Sequence, residues 1–476
     1  MRIDMGSHLP QSAASRAITG DTQFMFQFYK PCFQFYAPNE QISCMSEDNL
    51  RRSLVAALQG CPLLFGRLTV HEDKSISLEY DPQNVNSPTM EIQKTQTTYA
   101  ELKEHGFSYA LARELGLDMP IPDGSISKAL DTPMLMVKVS YLSDGGVAVF
   151  SMSNHVAFDG NAVFSFIAHW ARCNREMAQQ RSEIAVVAPP PELQTSEASP
   201  DNSTAKALDN APAEIAVDAA RSPAEIAAAL TRKSGKVCTS VFSIPVNQIA
   251  QLKQQVVESG VLVEGQWVST NSVLAAFLAQ HLGRANVAGG VFEAGDWTVF
   301  QSMDMRRPLG QPLRGLGSPV MLAEYQAPYD EIADDSQLPR LALSVRQSIG
   351  KYSGEHLRRV MAWMNSTYRR LAADGVEEPW RHFWFTALDS TRRAVGVSCM
   401  NRIPIYDADF GAGYPAMARS FNPRQNYVIV FPGPPAASDS LEYDVLHLYI
   451  SLEQPAMEAL IADHRWSQMC TLVSEC

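Results

Sequence analysis

The run NHVAFDGN at 154–161 sets His155 four residues ahead of Asp159, with Gly160 directly after. A neutral imidazole takes a proton from a hydroxyl or amine near pH 7, so His155 in an open site is a candidate general base. Asp159 admits two geometries: it can orient the ring, as a triad aspartate does, or turn away and pair with a basic residue. The second is the expectation, because Asp159 stands where a helix begins and its carboxylate is drawn to the backbone beneath it. No nucleophile elbow of the G-x-S-x-G type occurs, so a covalent acyl-enzyme is not indicated. A lone base suits direct attack of a bound acceptor on an activated acyl donor. A histidine at a strand's end is more often structural than catalytic, and so short a pattern arises by accident. The rest of the chain has to decide.

The elements that hold His155 are legible. MLMVKVSYL and, after an SDGG turn, VAVFSMSNH read as two strands of a hairpin. DGNAVFSFIAHWARC follows with apolar residues at helical spacing, and Asp159 is its natural N-cap. His155 therefore ends a strand and Asp159 opens a helix. Upstream, EDNLRRSLVAALQG has helical periodicity. In the second half, NSVLAAFLAQHLGRA is a buried helix ended by Gly283, and WTVFQSMDMRRP is a strand with a charged exit. DVLHLYISL is a further strand, and PAMEALIADHRW a helix started by Pro455. The fold class is α/β (α+β), in two domains.

The length, 476 residues, supports about two domains. Residues 1–182 and 236–476 read as the two halves. The segment 183–235 between them is rich in Ala, Pro, Ser, Asp and Asn, and reads as a surface crossover. A net charge of −12 argues against nucleic acid or an anionic membrane as partner. The N-terminus lacks the apolar core of a signal peptide, and no stretch reaches the roughly 18 apolar residues of a membrane span. The eight cysteines are scattered without CxxC or metal-ligand spacing, which reads as reduced thiols in a cytoplasmic protein with no metal.

A second motif changes the odds on His155. IPIYDADFGAGYP lies at 403–415, far downstream. With His155, Asp159 and Gly160 it resembles the two signatures of the BAHD acyltransferases, HxxxDG and DFGWG. Further stretches agree in order: LRRSLVAALQGCPLLFGRLTV, STNSVLAAFLAQ, MDMRRPLGQPL and LHLYISLEQPAMEALIAD each resemble a segment of that family. Together they run from about residue 17 to 465.

The resemblance implies two chloramphenicol-acetyltransferase-like domains, each a mixed sheet flanked by helices, with a channel between them and His155 near its middle. It implies a monomer with no permanently bound cofactor, acyl-CoA as co-substrate, and a small-molecule, specialised-metabolite acceptor. His155 matches the general base. Asp159 matches a structural aspartate paired with an arginine; Arg306 is the candidate partner and Arg307 the second. Gly160 would permit close backbone approach behind the histidine. Asp409, Phe410, Gly411 and Gly413 match the second signature, a structural loop away from the reacting atoms. Ser269 and Thr270 would lie near the pantetheine-phosphate path, although helix capping is an equal reading. Arg392 and Arg393 are phosphate candidates whose simpler reading is a solvated pair. His169, His281, His382 and His447 read as packing histidines. Ala412 replaces the signature's tryptophan, Cys399 and Met400 a Ser-Trp pair, and GLGS, ending at Ser318, the usual Y-F-G-N, which marks a divergent, fungal-type member.

Two other classes stay open. A condensation domain shares the HxxxDG core but usually carries a second histidine where Asn154 stands, and uses carrier-protein thioesters. A non-catalytic relative would bind a metabolite only.

Overall fold

The computed structural model describes residues 13–18, 29–122, 130–180, 208, 210–232, 235–311, 315–420, 424–436 and 441–475. Two large sheets organise them. The first has five strands, ordered Met417–Ser420, Tyr29–Tyr36, Val147–Asn154, Leu135–Tyr141, Thr89–Lys94. The expected hairpin is its centre: Leu135–Tyr141 and Val147–Asn154 pair antiparallel, with Leu135 opposite Ser153. Its edge strand Met417–Ser420 comes from the second half of the chain and pairs with Cys32–Phe35. The two halves thus share backbone hydrogen bonds.

The second sheet has seven strands: Val320–Ala327, Trp297–Asp304, Ala394–Cys399, Tyr427–Pro432, Val445–Glu453, Val237–Pro245 and Thr471–Glu475. Trp297–Asp304, Ala394–Cys399 and Tyr427–Pro432 run parallel; the other neighbours are antiparallel. The mixed α/β class inferred from alternating strand and helix patterns therefore holds.

Alternation along the strands sorts their side chains into layers. Cys32, Tyr36, Val147 and Val149 of the first sheet share one core with Phe300, Ile429, Phe431 and Tyr449 of the second. Those faces meet. The opposite face of the second sheet, with Val299, Val397, Val428 and Val430, packs on helix Thr270–Ala288. The other face of the first carries Phe33, Phe35, Phe150 and Met152.

Three local expectations need correction. Helix Thr270–Ala288 runs straight through Gly283. Gly283 is there for space, since a Cβ would sit 2.5 Å from Ile332. The strand from Trp297 ends at Asp304, and Arg306–Leu309 form a short helix instead of the strand's exit. Of the expected crossover 183–235, residues 183–207, 209 and 233–234 lie outside the described residues. Its later part is structured. Ile215–Val217 pairs antiparallel with Phe383–Phe385, and Pro223–Leu230 is a helix with a Ser222–Glu225 capping box. No described helix is long and apolar enough to cross a membrane. The seven described cysteines are free.

Candidate active site

Strand Val147–Asn154 stops because Asn154 caps its own turn. Its Oδ1 accepts from Val156 N at 2.9 Å, and its carbonyl accepts from Ala157 and Phe158. His155 rides on this turn, half-buried between the two sheets. Its Nδ1 lies 2.7 Å from Ser318 Oγ. Nε2 has no hydrogen-bond partner among the described residues. If Nδ1–H donates to Ser318, the Nε2 lone pair is left outward, which is the tautomer a base needs. Burial and the nearby Lys30 ammonium push the imidazole pKa down to about 3, opposed by a hydrogen bond to its own backbone. The ring is neutral throughout the physiological range.

Asp159 points away from His155. Its Oδ1 accepts from Ala162 N at 2.9 Å, capping helix Gly160–Gln180, and its Oδ2 accepts from Arg306 Nη1. Arg306 is essentially without solvent exposure. Its Nη1 also reaches Asp304 Oδ2 at 3.2 Å, and its Nη2 donates to the carbonyls of Gly315 and Gly317, both at 2.8 Å. Burial opposes the guanidinium charge, but Asp159 and Asp304 outweigh it and raise its pKa. Arg307, in contrast, is exposed.

The Arg306 fork fixes the segment that carries Ser318. Gly317 N donates to Ala157 O at 2.7 Å, Asp159 N to Gly317 O at 3.2 Å, and Phe158 bridges Gly317. Arg16 Nη1 donates to Leu316 O. Gly317 has φ 108° and the Arg16 guanidinium packed where a Cβ would be, so glycine is required on both counts. Residues 155–159 and 315–318 are thus one unit drawn from both halves.

Gly160 is the first residue of its helix and has no backbone pressed against it. A Cβ there would meet the Met400 thioether at 3.0 Å, so the close neighbour is a flexible side chain, contrary to the expectation of backbone approach.

Asp409, Gly411 and Gly413 form a separate knot. Asp409 Oδ1 accepts from Gly411 N at 2.7 Å and Gly413 N at 3.0 Å, and Arg175 Nη1 reaches its Oδ2 at 3.2 Å. Both glycines have positive φ. Phe410 is buried edge-on against Trp170. The knot docks near Arg175, about 22 Å along the helix from Gly160 at 1.5 Å per residue.

Ser269 caps helix Thr270–Ala288, its Oγ accepting from Ser272 N at 2.9 Å. Arg392 is exposed, and Arg393 donates to Asp296 O. His169, His281, His382 and His447 are all buried; His281 meets Asp463 at 3.0 Å, and His382 the Asp218 carbonyl at 2.8 Å. No group of His, Cys, Asp or Glu among the described residues is arranged to hold a metal.

Sequence reasoning missed Ser318 and Lys30 as neighbours of His155. Ser318 carried a signal, standing where the resemblance expects an asparagine. Lys30 carried another, as the one charge in the strand YKPCFQFY.

A family model described as Transferase family matches residues 17–465. A hydroxycinnamoyltransferase of Narcissus pseudonarcissus is 25% identical over 398 residues, 82% of each chain. The fold is similar to that of TRI101 from F. graminearum, solved with coenzyme A and deoxynivalenol. The TM-score is 0.69 at 15% identity, covering 97% of this chain and 100% of that one. Vinorine synthase is similar with TM-score 0.63 at 18% identity, covering 97% and 94%.

Proposed function

The chain belongs to the Transferase family, the BAHD acyltransferases, and on that premise we propose that it moves an acyl group from acyl-CoA to a hydroxyl or amine of a small-molecule acceptor. His155 Nε2 takes the acceptor's proton as the acceptor attacks the thioester carbonyl. The tetrahedral oxyanion collapses, the C–S bond breaks, and His155 returns the proton to the CoA thiolate. No covalent acyl-enzyme forms. The observation that carries this reading is the neutral His155 held at Nδ1 by Ser318, with Nε2 unpartnered between the two sheets.

General-base action of this kind supplies about 10²- to 10⁴-fold. Holding donor and acceptor together supplies more. Asp159 and Arg306 do no chemistry in this scheme; they fix the turn and the Ser318 segment. Ser269 and Thr270, at a helix N-terminus, are proposed to face the CoA phosphate side, where backbone N–H groups favour an anion. Thiol release from an acyl-CoA panel, run against the same acyl groups on a carrier protein, tests the proposal. Release from CoA thioesters is expected, and release only from carrier thioesters would overturn it.

A further inference from the structure

Strand Tyr29–Tyr36 is aromatic and apolar apart from Lys30 and Gln34. Gln34 is accounted for, since its Nε2 donates to Ile405 O at 2.6 Å. Lys30 is not: no hydrogen bond or ion pair engages it among the described residues. By alternation it shares the face of Cys32 and Tyr36, which meets the second sheet. Its cross-strand neighbour is Ser153, which has no exposure and whose Oγ has no hydrogen-bond partner among the described residues. Ser153 is two residues from His155.

From the second sheet, Ser302, Ser398 and Tyr427 lie on the facing layer with Phe300 and Ile429. Tyr427 OH bonds Ser302 Oγ at 2.8 Å, and Arg424 stands just before that strand. Among the described residues, the titratable groups that act on Lys30 or feel it are the Arg424 guanidinium and the neutral His155 imidazole; the ammonium depresses the imidazole and is itself pushed down to about 8 by burial and Arg424.

Lys30 is half-buried, and an ammonium partly withdrawn from water beside a guanidinium is costly unless an anion joins it. A methionine would fill the same space at lower cost. The chain is acidic overall, with net charge −12, so a half-buried lysine without a hydrogen bond or ion pair among the described residues is a local departure that a ligand would explain.

We propose that Lys30 anchors a carboxylate carried by one of the two co-substrates, beside His155, with Arg424 and the Tyr427 and Ser153 hydroxyls around it. The proposal rests on the acyl-transfer reading. The phosphates of CoA are excluded as the occupant, because with the thioester at His155 they sit a full pantetheine arm away. The carboxylate belongs either to the acyl group, as in a dicarboxylic monothioester, or to the acceptor.

Calorimetric titration of matched pairs tests this on the whole chain. Succinyl-CoA and butyryl-CoA differ at the acyl terminus by a carboxylate against a methyl. Quinate and its methyl ester, titrated in the presence of CoA, differ the same way in the acceptor. Wild type is expected to prefer the carboxylate member of one pair by about tenfold or more, the worth of a hydrogen-bonded charge. Lys30→Met should erase that preference, Lys30→Arg should retain most of it, and CoA alone should bind both variants as it binds wild type. Equal binding within both pairs by wild type, or a preference unchanged in Lys30→Met, overturns the proposal. Loss of CoA affinity in Lys30→Met also overturns it, because Lys30 would then serve the phosphates. A wild type that binds no acyl-CoA overturns the acyl-transfer reading instead.

Discussion

Replacing Arg306 with methionine should destabilise the protein by about 3–5 kcal/mol, the cost of leaving a buried carboxylate without its cation. Methionine keeps the apolar stem and removes only the fork. That fork holds Asp159, Asp304 and the carbonyls of Gly315 and Gly317. Asp159 would be left desolvated next to the like charge of Asp304. Arg306→Lys keeps the charge without the planar fork and should cost less, about 2 kcal/mol, for the two carbonyl bonds. Asp159→Asn alone keeps a capping side chain for Ala162 N, and Arg306 retains Asp304. Combining Asp159→Asn with Arg306→Met should therefore cost less than the sum of the single changes, by about 2 kcal/mol. Urea denaturation followed by tryptophan fluorescence measures all four variants, with the buried Trp170 and Trp297 reporting on opposite halves. An Arg306→Met unfolding free energy within about 1 kcal/mol of wild type, the range of an exposed pair, would rule out a buried, dependent carboxylate at Asp159. So would strict additivity in the double variant.

Ser318→Ala should lower kcat about 10- to 100-fold with little change in the KM for acyl-CoA, the rate equivalent of about 1.4–2.7 kcal/mol for losing the hydrogen bond that fixes the ring; a rise in KM alone contradicts an orienting role. Melting temperature should fall as pH drops below 6.5, because the folded pKa of His155 and His447 is lowered to about 3 and that of His169 and His281 to about 4. The unfolded chain takes up those protons first, so stability is complete above pH 6.5 and is lost on acidification toward pH 3; a melting temperature flat from pH 7 to 4 counts against buried neutral histidines. For the same reason kcat/KM should show no acid limb near pH 6.5. Gly283→Ala should destabilise by about 1–3 kcal/mol through its clash with the Ile332 Cγ2 methyl, and the additional Ile332→Ala change, which removes that methyl, should cost less than the sum of the two single changes.

Much of this arrangement is written locally. Val147–Asn154 opens on a continuous apolar run and is buried on both faces, as a central strand is, the SDGG turn dictates a hairpin, and Asp159 is a good N-cap, so the placement of His155 follows from short-range chemistry. The Asp159–Arg306 contact joins residues 147 positions apart and needed the family resemblance to be anticipated. Ser318 was not anticipated as a partner because its role depends on where Arg306 and Arg16 pin a loop, which no periodicity encodes. Gly283 misled for a related reason: a glycine that ends a helix and one that admits a neighbouring isoleucine look alike in one dimension. Lys30 shows how a residue that breaks its strand's pattern points at a site without saying which.

The proposed chemistry stands on His155 as the base. Parallel measurement of turnover and CoA affinity in wild type and His155→Ala tests it most directly, with Ser318→Ala as the positional control. His155→Ala is expected to lose at least about 10²-fold in kcat/KM while CoA affinity and melting temperature stay near those of wild type. A His155→Ala variant that folds, binds CoA and turns over at close to the wild-type rate would contradict it.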